Sequence, residues 1–120
     1  MTDRKPTDLN QPMVICGRNV WYGLDGEPIS TWEADKLLGD KEACQVALTE
    51  HGVQFEPGYW RVSTVFLVMD HMLSREGPPM LWETAWFSSE ELVGARRYST
   101  REEAVAGHED MVQRLLEERP

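Results

Sequence analysis

The stretch Tyr59–Asp70, which reads YWRVSTVFLVMD, is the strongest β-strand signal in the chain. It is dense in β-branched and aromatic residues, which favour extended backbone. At its centre both alternating faces are apolar, with Phe66 on one face and Val65 on the other. A strand that is apolar on both faces is usually central in a sheet or covered on both sides. The stretch therefore predicts the central strand of a sheet.

Two further strands are expected after this stretch. A loop from His71 to Pro79 leads into Met80–Phe87, and the short connection favours an antiparallel hairpin. Residues 92–98 are expected to add an edge strand that ends at Tyr98. The second half of the chain thus predicts consecutive antiparallel strands.

The clearest helix signal follows at Ser99 and Thr100. Each of them has a glutamate three residues later, which is the spacing of a capping box, and a helix over about 101–118 is expected. Its apolar face consists of Ala104, His108, Met111, Val112 and Leu115. This face predicts that the helix packs across the sheet.

Turn and cap residues predict the elements of the first half of the chain. Residues 1–12 are polar and predict a flexible tail, and residues 13–22 predict one broken strand or a short strand at 19–23. Ser30 lies three residues before a glutamate and predicts a helix over about 31–38. Asp40 is suited to cap a second helix, over about 41–50.

These elements together predict an α+β fold. We expect an antiparallel sheet of three to four strands with helices packed mainly on one face, formed by a single domain over residues 13–120. A length of 120 residues is enough for one hydrophobic core without metal ions or disulfides.

Composition narrows the possible partners. The chain has 12 basic and 21 acidic residues, a net charge of -9, and a pI near 4.7. Because phosphate contacts need clustered Lys and Arg, this charge argues against duplex nucleic acid and anionic membranes as partners. Cys16 and Cys44 lack metal-binding spacing and are expected to be free thiols. The sequence shows no signal peptide and no long apolar run, so a cytoplasmic protein is expected. No cofactor is expected.

Four residues form the sharpest candidate site: Asp70, His71, Glu83 and His108. Asp70 and His71 end the central strand, and Glu83 lies early on the next strand of the hairpin. Two histidines with one or two carboxylates could bind Zn, Mn or Fe, or act as a general acid and base.

Each of these residues also has a structural interpretation. Asp70 is suited to accept backbone N–H groups of the following loop, and Glu83 to pair with Arg61 or Arg97 across strands. His108 lies on an apolar helix face, where a hydrogen-bonded core histidine is the commoner outcome. The sequence leaves both interpretations open.

Candidate partner or ligand contacts are Trp82, Trp86, Arg97 and Arg101. The two tryptophans share one face of a strand, and the two arginines belong to the local basic cluster near the N-terminus of the last helix. If helices bury one face of the sheet, the other face is free for a partner, and a homodimer through that face is one hypothesis. Motifs of serine hydrolases and of phosphate-binding loops do not occur.

Several short motifs resemble those of a family of small proteins from actinobacteria and their phages. They are Val62-Ser63-Thr64-Val65, Asp70-His71, Gly77-Pro78-Pro79, Glu83-Thr84, Arg97-Tyr98-Ser99-Thr100, Glu102-Glu103-Ala104 and Ala106-Gly107-His108. The resemblance implies a phage or prophage accessory protein that acts in the host cytoplasm, and it implies no particular activity. The expected function is therefore a non-catalytic module that binds a host protein or a small ligand. The competing expectation is a metal-dependent enzyme that uses the four-residue cluster.

Overall fold

The structure is a computed structural model that describes residues 10–72 and 76–118. Its elements are β1 (Val14–Ile15), β2 (Arg18–Asn19), α1 (Thr31–Leu38), α2 (Lys41–Cys44), β3 (Gln45–His51), β4 (Trp60–Phe66), β5 (Trp82–Ser88), β6 (Glu91–Tyr98) and α3 (Arg101–Glu118). Most of the expected tail, residues 1–9, lies outside the described residues. Pro12, near the end of that stretch, forms an antiparallel bridge with Ser30.

The main sheet has four antiparallel strands in the order β3-β4-β5-β6, and with its helices it confirms the α+β fold. Strand β4 is central, as expected, with β3 on one side and β5 on the other. Its side chains alternate between buried and half-buried positions, with Trp60, Val62, Thr64 and Phe66 buried. Only one face of the sheet is therefore fully covered.

Helix α3 supplies most of that cover. Its five buried residues are the five of the expected apolar face, and the helix has the expected bounds. Thr100 caps its first turn, because the Thr100 hydroxyl accepts a hydrogen bond from the backbone N–H of Glu103 at 3.1 Å. The core has two parts: Met111, Val112 and Leu115 pack with Trp60 and Val62, and Ala104 packs with Ala34 of α1, Phe66 and Trp82.

The expected second helix is wrong beyond Cys44. Asp40 caps α2 as expected, accepting the N–H of Ala43 at 3.1 Å, but α2 ends after four residues. Residues Gln45–His51 instead form β3, which pairs with the central strand. Pairing with β4 gives the backbone N–H and C=O groups of both strands hydrogen-bond partners. The free energy gained by this long-range pairing outweighs the local helical tendency of residues 45–50.

The N-terminal segment also differs from the expected single broken strand. Strands β1 and β2 form a hairpin whose two turn residues, Cys16 and Gly17, have φ of 54° and 75°. Positive φ at both positions is typical of a type I′ hairpin turn. The chain then runs beside the end of the central strand, with the Tyr22 N–H donating to the Val68 carbonyl at 2.8 Å.

No helix in residues 10–72 and 76–118 is both long enough and apolar enough to span a membrane.

Candidate functional site

Asp70 anchors three parts of the chain at one buried point. Its side chain is fully buried, and Oδ2 pairs with Arg18 of β2, at 3.0 Å from Nε and 2.9 Å from Nη2. Oδ1 accepts the backbone N–H groups of Met72 at 2.8 Å and Met80 at 3.1 Å. The carboxylate thus ties the first hairpin to both ends of the loop after the central strand. The structural interpretation of Asp70 is confirmed by these contacts.

Glu83 and His71 lie near each other but have different surroundings. Glu83 Oε2 accepts a hydrogen bond from Arg97 Nε at 3.0 Å, which confirms the expected cross-strand pair. His71 is half-buried, and its backbone N–H donates to the Met80 carbonyl at 3.2 Å. Burial and then the Arg97 guanidinium lower the pKa of His71, against the opposing effects of Glu83 and Asp70. His71 is therefore neutral at pH 7.

His108 belongs to a buried row of polar side chains between α3 and the sheet. Its Nε2 lies 2.9 Å from the Thr49 hydroxyl, and its Nδ1 lies 2.8 Å from the Thr64 hydroxyl. The Thr64 and Thr84 hydroxyls are 2.6 Å apart. Burial lowers the pKa of His108, with Glu109 opposing the shift. A neutral ring offers one donor and one acceptor, so both nitrogens are satisfied in this threonine–histidine row.

The three threonines of this row were not among the candidate site residues that the sequence indicated. Their signal is a polar residue at the centre of an otherwise apolar strand face, as in Val62-x-Thr64-x-Phe66 and Trp82-x-Thr84-x-Trp86. A buried polar side chain needs a hydrogen-bond partner, and a histidine on the apolar face of a covering helix can provide it. The third hydroxyl belongs to Thr49 on β3, a strand that the sequence did not predict.

The four residues of the candidate cluster are not gathered into one metal site. Among residues 10–72 and 76–118, no group of three or more His, Cys, Asp and Glu side chains is arranged to hold a metal ion. Asp70 is bound to Arg18, Glu83 to Arg97, and His108 to threonines. The structure thus gives three of the four candidates a partner within the fold.

The candidate contact residues occupy different environments. Trp82 is in the core, only 6% exposed, with its ring 5.1 Å from that of Phe66. Trp86 is half-buried beneath α3, on the same face of β5 as Trp82. Arg97 is paired with Glu83, and Arg101 is exposed at the first turn of α3. The shared face of the two tryptophans is therefore the covered face of the sheet.

A small cavity lies between the C-terminal half of α3 and strands β5 and β6. It has a volume of about 230 Å³, and its lining includes Trp86, Arg96, Met111 and Arg114. The Arg114 Nε lies 3.1 Å from Asp110 Oδ2, and Arg96 approaches the same oxygen at 3.8 Å. One carboxylate thus already faces both arginines, which makes the cavity a weak anion site.

The opposite side of the sheet, which we call the outer face, has no helix over it in the described parts of the chain. The strand register assigns to it Leu48, Glu50, Arg61, Ser63, Val65, Glu83, Ala85, Phe87, Leu92, Ala95 and Arg97. Leu48 is 51% exposed, and the Arg61 guanidinium lies over the Phe87 ring at 4.2 Å. The outer face thus combines apolar side chains with balanced charges.

The chain has no significant match among protein-family models, curated proteins or solved structures.

Proposed function

We propose that the protein is a non-catalytic binding module that engages another protein through its outer face. The observation that carries the proposal is the one-sided cover of the sheet. Helix α3 and α1 pack on one side, whereas the outer face presents Leu48, Phe87 and Arg61 without a covering element in the described residues. Apolar side chains with arginine and aromatic neighbours are the usual composition of a protein interface.

The environment of the polar candidates supports a binding role over a catalytic one. A general base needs a free lone pair directed at substrate. The carboxylate of Asp70 and the ring of His108 are instead occupied by Arg18, backbone N–H groups and threonine hydroxyls. These groups stabilise the fold that displays the outer face.

The partner in this proposal is a host protein met in the cytoplasm, in keeping with an accessory protein of phage or prophage type. Charges on the outer face balance, since Arg61 and Arg97 offset Glu50 and Glu83. The net charge of -9 therefore comes from other surfaces. Such a distribution speeds encounter with a basic partner while leaving the contact itself largely apolar.

The test compares capture from host lysate by matched variants. Leu48→Glu adds a charge to the outer face, and Val105→Glu adds the same charge to α3, where Val105 is 37% exposed. We expect wild type and Val105→Glu to capture the same host protein and Leu48→Glu to lose it, as read by quantitative mass spectrometry. Equal capture by all three variants, with unchanged melting temperatures, would contradict the proposed surface.

A further inference from the structure

Strand β6 is a free edge of the sheet. It pairs with β5 on one side, and no strand of residues 10–72 and 76–118 pairs with its other side. It is the longest strand, with eight residues, and Leu92 and Val93 are 60% and 58% exposed. An exposed edge of this kind presents unpaired N–H and C=O groups that can pair with another chain.

The sequence of this edge is complementary to itself. Residues 91–96 read Glu-Leu-Val-Gly-Ala-Arg, with an acid at the start and a base at the end. Antiparallel pairing of two copies about the Val93–Gly94 bond would place Glu91 opposite Arg96 of the second copy, and Leu92 opposite Ala95. Parallel pairing in register would instead oppose like charges, which destabilises a strand pair.

A bulge in β6 makes this pairing compatible with two-fold symmetry. Symmetric antiparallel pairing requires that opposed residues share a face of the sheet, but in a regular strand Glu91 and Arg96 would lie on opposite faces. The register with β5 skips Val93, so Val93 is an extra residue in β6. Glu91 pairs with Ser88 and Arg96 with Thr84, which are four residues apart and share a face. Leu92 and Ala95 share the outer face by the same argument, through Phe87 and Ala85.

The charged side chains concerned are exposed or make only long contacts within their own chain, since the Arg96 guanidinium lies 6.0 Å from the Trp86 ring. Arg96 is about half exposed, and its approach to Asp110, at 3.8 Å, is long for an ion pair. Glu91 is exposed, and Leu92 gains an apolar neighbour in the pairing described.

We propose that two copies of the chain associate through antiparallel pairing of β6, with reciprocal Glu91–Arg96 contacts, to form one continuous eight-stranded sheet. The two-fold axis is perpendicular to the sheet, so the helices of both copies lie on one side and the two outer faces are continuous. This interface lies along the β6 edge and shares only Leu92 and Ala95 with the outer face, and it does not depend on the proposed function.

The test uses the two charge reversals Glu91→Arg and Arg96→Glu. Sedimentation equilibrium of the wild type is expected to give twice the chain mass of 13.8 kDa. Each single variant opposes like charges at both contacts and is expected to weaken the dimer by about tenfold. The double variant restores opposite charges and should recover the wild-type affinity. Mixing the two single variants should give a mixed dimer. One copy then carries a base at both positions and the other an acid at both positions, so both contacts join opposite charges.

Two controls keep the outcome clear. Leu48→Glu changes the outer face and should leave dimerisation unchanged, whereas loss of dimer in this variant would point to the outer face instead. Hydrogen exchange of the amides of residues 91–96 should slow as protein concentration rises. A monomeric wild type at about 1 mM, a concentration at which even weak pairs are populated, would overturn the proposal, as would a double variant that fails to recover.

Discussion

His108 is expected to make folding stability depend on pH. Its pKa is lowered by burial in the folded protein, whereas in the unfolded chain it has the ordinary value of about 6.5. Below that value the unfolded state therefore binds more protons than the folded state, so the stability present above pH 6.5 is lost as pH falls. His71 has the same sign of shift and contributes to the same loss.

The measurement is the free energy of unfolding between pH 7.5 and pH 5 for three chains. His71→Gln should retain a large part of the wild-type slope, because His108 is the more buried ring. His108→Gln should reduce the slope, and it should also lower stability at pH 7.5 by about 2 kcal/mol, since it disturbs the hydrogen bonds of the threonine–histidine row. An unchanged slope in His108→Gln would contradict the assignment.

Gly107 shows how a tertiary contact reverses a local preference. It lies inside α3, where alanine would ordinarily stabilise the helix by about 1 kcal/mol. A Cβ at this position would overlap the hydroxyl and Cζ of Tyr98, whose ring lies against the helix backbone. We therefore expect Gly107→Ala to destabilise the protein by about 1–3 kcal/mol, measured by chemical denaturation.

The controls for Gly107→Ala use a second glycine and a second site. At Gly39 a Cβ meets only ordinary contacts, at 3.6 Å or more, so Gly39→Ala should be close to neutral. In a Tyr98→Leu background, Gly107→Ala should lose most of its cost. A full cost in that background would show that Tyr98 is not the cause.

At the scale of elements, the sequence predicted those whose signals are local. Helix α3 has its cap at Thr100, directly before its first residue, and its apolar face within its own 18 residues, and both predictions are confirmed. Strand β3 was missed because its identity depends on pairing with Trp60–Phe66, which local periodicity does not record. In the candidate site, too, contacts between residues close in sequence were predicted and contacts between distant parts of the chain were not. The local partners of Asp70 were expected, whereas Arg18 lies 52 residues away in sequence and was not.

The ion pair between Arg18 of the first hairpin and Asp70 is expected to hold the hairpin against the rest of the fold. Arg18→Ala leaves the fully buried Asp70 carboxylate with backbone N–H donors only and should destabilise the protein by about 2 kcal/mol. Amides of β1 and β2 should then exchange faster than those of β4. Arg114→Ala breaks an exposed pair with Asp110 and should cost less than about 0.5 kcal/mol. Equal effects of the two variants would contradict the anchoring role of Asp70.

At the scale of the whole molecule, the excess negative charge and the outer face of the sheet lie on different surfaces. Helix α3 alone carries six acidic and two basic residues, so it contributes -4 of the net -9. The same helix buries the threonine–histidine row on its other side. Acidity thus belongs to the solvated helices, while the sheet offers a charge-balanced outer face and, at β6, a self-complementary edge.

Metal binding gives the whole-molecule prediction that separates the two expected functions. If Asp70 and His108 act only in the fold, adding Zn²⁺ or Mn²⁺, or removing metal with a chelator, should shift Tm by less than about 1 °C. A true site saturated at 100 times its Kd would add about 2.7 kcal/mol, which corresponds to a rise of roughly 10 °C in a domain of this size. The measurement is Tm by scanning calorimetry, with His71→Gln as the control for weak surface binding. A large rise in wild type that persists in His71→Gln would place the metal elsewhere. A rise abolished by that substitution would favour the metal-dependent enzyme over the binding module.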